Sequence, residues 1–152
     1  MQLERHAELA WANKDWEKAT RLWREAVDSW ERVMPKLTAL HRLASLYCSR
    51  GLYEACEGVY KEALQLIDAL AHSRPADTRL FGDEPQRLDY DPRLIGELRT
   101  VLLHELGRLY AILGRAVEAH ETMLDAARDW QVGRAALLNG IVLTGLHYRA
   151  GF

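Results

Sequence analysis

The side chains able to do chemistry are scattered through this chain rather than clustered. Its six histidines are His6, His41, His72, His104, His120 and His147. None stands in an HExxH or His-x3-His pair, the spacing that sets two imidazoles on one helix face around a metal. Cys48 and Cys56 form no CxxC. If they lie on helices facing each other across a turn, a bridge between them is open, but small buried or groove-lining thiols are the expected state. Ser29, Ser45, Ser49 and Ser73 have no nucleophile motif around them. Gly107 and Gly114 are explained by helix packing and a turn, so no glycine-rich phosphate loop remains. Catalysis is not expected, nor a bound metal or cofactor.

These residues must be positioned by helices. From Leu40 to Ala63 the apolar residues are Leu40, Leu43, Ala44 and Tyr47, then Tyr53, Cys56, Tyr60 and Ala63, with Gly51 between the two sets. Both sets have the period of an amphipathic helix. The Arg50-Gly51 step reads as a helix stop, because glycine closes a helix in the left-handed conformation without a Cβ clash. The stretch is therefore a helix, a tight turn and a second helix folded back on the first. Ala44, Cys56 and Ala63 are the small residues where the two backbones come closest.

The pattern recurs. Leu103, Leu106, Gly107, Tyr110, Gly114, Ala119, Met123 and Ala126 repeat the offsets of Leu40, Leu43, Ala44, Tyr47, Gly51, Cys56, Tyr60 and Ala63. A weaker copy lies upstream in Leu3, Ala7, Ala10, Trp16, Ala19, Trp23 and Ala26, with Lys14 at the turn in place of glycine and His6 where leucine is usual. The pattern resembles the tetratricopeptide repeat, W-x2-L-G-x2-Y followed by A-x3-F. The segment TALHRLASLYCSRGLYEACEGVYKEALQL is most similar to the longer repeats of kinesin light chains and related bacterial proteins. No repeat carries the proline that normally follows the second helix. The resemblance implies an all-α, antiparallel helix-pair solenoid with a right-handed superhelix of about seven helices, a single domain over 1–152. It further implies a concave groove lined by the first helix of each repeat. Carried onto this chain, the lining is Glu4, Glu8 and Trp11 in the first repeat and His41, Arg42, Ser45 and Cys48 in the second. In the third it is His104, Glu105, Arg108 and Ile112, and in the last helix Tyr148 and Arg149. Co-chaperones of this family hold a peptide carboxylate with basic and amide residues, and Glu4 and Glu8 at the matching places argue against such a clamp.

In chain order, the first helix should run from about Gln2 to Ala12, with Asp15 an N-cap for the second. Trp16, Trp23 and Trp30 stand seven apart on that helix, expected to pack between repeats rather than to stack a ligand. Pro35 opens the next pair, which ends near His72. Residues 73–91 hold two of the four prolines, with Pro92 just beyond, and five acidic residues. Gly51 and Gly114 lie 63 residues apart, whereas Lys14 and Gly51 lie 37 apart, so an insertion separates the second and third repeats. It is either a partly ordered hook or a surface loop. Asp91-Pro92 restarts a helix that should run to about Leu113, with a partner from about Ala116 to Trp130 and Gly133 ending the pair. A last helix over about 134–150 is the first half of a fourth repeat. Ile141, Leu143 and Leu146 do not fit one stripe of it, whereas terminal repeats need a polar outer face. A second copy of the chain, or further chain, is expected to cover them.

Composition limits the partners. A net charge of −2 over 152 residues gives no bulk attraction to nucleic acid or to an anionic membrane. No apolar run approaches the ~18 residues that span a bilayer, and the N-terminal residues carry charges through the first turns, so a cytoplasmic location is expected. The function implied is a protein-interaction scaffold holding a mixed-charge or basic-and-aromatic peptide or helix in the groove, with a homodimer through the last helix. The alternative is a small secretion chaperone; a metal protein or enzyme stands behind both.

Overall fold

The computed structural model describes residues 2–72 and 90–139, the last ten of these by backbone alone. Every regular element among them is an α-helix: α1 (Gln2–Ala12), α2 (Trp16–Ser29), α3 (Val33–Ser49), α4 (Tyr53–His72), α5 (Pro92–Ile112) and α6 (Ala116–Asn139). They fall into two compact units, one holding α1 to α4 and the other α5 and α6. The fold is all-α, as the periodicity predicts. Within the first unit α1 packs on α2, α2 on α3 and α3 on α4; within the second α5 packs on α6.

Three helix hairpins close by the same device. The second residue after each first helix takes a left-handed backbone: Lys14 at φ 62°, Gly51 at 73° and Gly114 at 75°. The next amide then reaches back five residues: Asp15 N donates to Ala10 O, Leu52 N to Tyr47 O and Arg115 N to Tyr110 O, each at 2.9 Å. This satisfies carbonyls that the helix end leaves over. Asp15 also caps α2, its Oδ1 accepting from Lys18 N at 3.3 Å.

Small residues lie buried on the packed faces. Ala7 on α1, Ala19 and Ala26 on α2, Ala44 on α3, and Cys56 and Ala63 on α4 have no exposed surface. Leu37, Leu40 and Leu43 fill the space around them. In the second unit Gly107 takes the place of Ala44. A Cβ there would stand 3.0 Å from the Met123 side chain, so the close approach excludes anything larger without repacking.

Ion pairs tie helices together in both units. Arg24 of α2 holds Glu62 of α4 through two bonds of 2.8 and 3.1 Å. The Glu62 hydrogen bond raises the Arg24 guanidinium above its ordinary value, against the opposing effect of burial. Arg99 of α5 holds Asp129 of α6.

Two expectations change. Cys48 and Cys56 are not separate thiols but a disulfide: the backbones approach to a Cα–Cα distance of 5.6 Å, inside the range a bridge spans. The break expected at Gly133 is absent, and α6 runs on to Asn139. A glycine inside a helix costs only about 1 kcal/mol, too little to end one without a turn to replace it. Of about seven expected helices, six occur among the described residues. The rest of the last helix, with Ile141, Leu143, Leu146, Tyr148 and Arg149, lies outside them, as do residues 73–89 of the insertion expected over 73–91.

Candidate functional site

In the first unit the expected lining residues are taken up in contacts within the unit, and two of them, on different helices, pair with each other. Glu8 of α1 and Arg42 of α3 form a two-bond pair, Arg42 Nε to Glu8 Oε1 at 2.9 Å and Nη2 to Oε2 at 3.0 Å. They stand 34 residues apart in the sequence, on helices that open successive hairpins. Glu4 accepts from the Trp30 indole at 2.7 Å. Trp11 meets Trp16 edge to face, ring centroids 4.4 Å apart, and the Arg50 guanidinium lies 4.7 Å above the Trp16 ring. Ser45 donates to the carbonyl of His41 at 3.0 Å, and Cys48 is in the disulfide. Most of this face is thus committed to holding the first unit together.

The tryptophan row divides. Trp23 is buried, while Trp16 and Trp30 are half-buried. Trp30 finds an acceptor in Glu4; the buried Trp23 Nε1 has none among the described residues. A shallow cavity of about 360 Å³ lies where α1 begins, α2 ends and α3 begins, lined among others by Glu4, Trp23, Trp30, Met34 and Pro35.

The second unit differs. On α5, His104, Arg108 and Ile112 are exposed and Glu105 is half-buried. Periodicity also brings in two residues that the sequence reading missed. Leu94, Val101 and Arg108 follow at seven-residue steps and Ile112 comes four later, so all four fall within about 40° on the helix wheel. Leu94 is 48% exposed, Val101 44% and Ile112 63%. His104 and Glu105 border this stripe on opposite sides. The core of α5, including Leu102, Leu106 and Leu109, lies on another arc. The signal that could have found Leu94 and Val101 is their seven-residue spacing with Arg108.

Among the residues described, no group of three or more His, Cys, Asp or Glu is placed to hold a metal ion. No helix among them is long and apolar enough to cross a membrane. The arrangement offers apolar contact, one guanidinium and one imidazole, which suits recognition of a surface more than bond making. Comparison with protein-family models, curated proteins and solved structures finds no match for the chain.

Proposed function

We propose that the chain is a protein-interaction module of tetratricopeptide type, acting in the cytoplasm, and that the α5 stripe is its recognition surface. The observation that carries this is the row of exposed apolar side chains, Leu94, Val101 and Ile112, in register with the exposed Arg108. Scattered exposed leucines need no explanation; a row at helical spacing beside a cation has the form of a seat for an amphipathic segment. Such a segment would lay its apolar side chains along the row and bring a carboxylate to Arg108.

A displayed peptide library tests it. Enriched peptides should share apolar residues at helical or alternating spacing next to Asp or Glu. Their affinity should fall at least tenfold for Val101→Glu and for Arg108→Glu while the circular dichroism stays unchanged. No enrichment, or binding indifferent to both substitutions, rejects the surface.

A further inference from the structure

The disulfide joins two unlike ends. Cys48 lies in the last turn of α3 and Cys56 in the first turn of α4. Cys48 is half-buried, with part of its surface in solvent, whereas Cys56 has none. Access therefore lets an incoming thiolate reach Cys48 and shields Cys56. The helix ends add a second bias. A helix N-terminus carries partial positive charge and favours a thiolate, and a C-terminus carries partial negative charge and disfavours one. Cys56 sits at the favourable end and Cys48 at the unfavourable one, and the sulfur better held as thiolate is the better leaving group. Burial and charge thus point the same way in one respect: attack falls on Cys48 and Cys56 departs. Desolvation works against a buried thiolate, so the departing sulfur takes up a proton.

We infer that Cys48 is a thiol-exchange site, which accepts a small-molecule thiol as a mixed disulfide while Cys56 is released as a buried thiol. The thiolate of the small thiol attacks Cys48 Sγ, its S–S bond to Cys56 breaks, and Cys56 gains the proton. A second small thiol displaces the first from Cys48, leaving two protein thiols and one oxidised small-molecule disulfide, a two-electron reduction of the bridge. The adduct stands on the α3 stripe of His41, Ser45 and Cys48, which follow at steps of four and three. Its formation also releases the turn bearing Arg50, whose guanidinium lies over Trp16. The exchange makes that face responsive to the thiol balance around the protein, and it is compatible with a reducing compartment, where the open form would prevail.

The test uses the intact, oxidised chain in a series of reduced-to-oxidised glutathione ratios, quenched in acid, alkylated and mapped by peptide mass. Glutathione on Cys48 with alkylated Cys56 should exceed the reverse arrangement at least tenfold. In the folded Cys56→Ala variant Cys48 should form the same adduct, and in folded Cys48→Ala Cys56 should label at least tenfold more slowly than in denaturant. Equal adducts on the two sulfurs, or an excess on Cys56, overturns the inference. So does the absence of any adduct over the whole series while the far-ultraviolet dichroism stays native, or two free thiols that oxidised glutathione does not close. The wild-type map needs no variant, so a variant that fails to fold leaves the test intact.

Discussion

Lys14 holds a backbone conformation that a side chain normally resists. Its φ of 62° matches Gly51 and Gly114 at the equivalent turns, and the closing hydrogen bond is the same length in all three. A non-glycine residue there costs roughly 1–2 kcal/mol, partly offset by the greater freedom glycine has in the unfolded chain. Lys14→Gly should therefore stabilise the protein by about 1 kcal/mol in urea unfolding, with an unchanged m-value. Arg24 is raised by its bond to Glu62, so its contribution is complete below the ordinary arginine range and lost only above it. No pH dependence near neutrality should arise from the Arg24 guanidinium. The turn at Lys14 was legible because the flanking helices repeat the pattern of the other two. The disulfide was not, since spacing puts two cysteines on facing helices but only the backbone approach brings them within reach of a bond.

At the scale of the helix pair, small residues set the approach and larger ones fill around it. Ala44 has no exposed surface, and a Cβ on Gly107 would stand 3.0 Å from the Met123 side chain. Ala44→Leu and Gly107→Leu should each cost roughly 1–3 kcal/mol by overpacking, read as a lower denaturation midpoint. An unchanged midpoint would show that the helix-pair register is wrong. The Glu8–Arg42 pair joins α1 to α3 but its side chains are 48% and 40% exposed. A double-mutant cycle with Glu8→Gln and Arg42→Gln should give a coupling below about 1 kcal/mol, shrinking further in salt. Helix positions were legible because apolar periodicity and three like turns agree. The end of α6 was not, because a lone Gly133 carries the same letter whether a chain turns or merely passes through. The commitment of Glu4 and Glu8 to internal bonds was also hidden. Sequence shows a face, but only distances show which of its charges already have partners.

For the whole molecule, the repeat gave the helices their order, while the outward use of each face had to be read from exposure. Ile112, Arg108 and His104 were among the lining residues expected from the repeat; Leu94 and Val101 joined them only once the core arc of α5 was defined. Ile141, Leu143 and Leu146 lie beyond the described residues, and their role is settled in solution. If a second copy covers them, light scattering finds a dimer that Ile141→Glu with Leu143→Glu converts into a folded monomer; a monomer in both cases removes self-association from the reading. The Cys48–Cys56 bridge, finally, has a mechanical consequence. A chain drawn out from its two ends passes the load through the sulfurs, and the residues between them never bear tension. Eight backbone steps are replaced by a 5.6 Å span, so the oxidised molecule should reach full extension roughly 20–25 Å short of the reduced one at ~3.6 Å per residue. A force–extension trace in each state would show the difference as a shorter contour length.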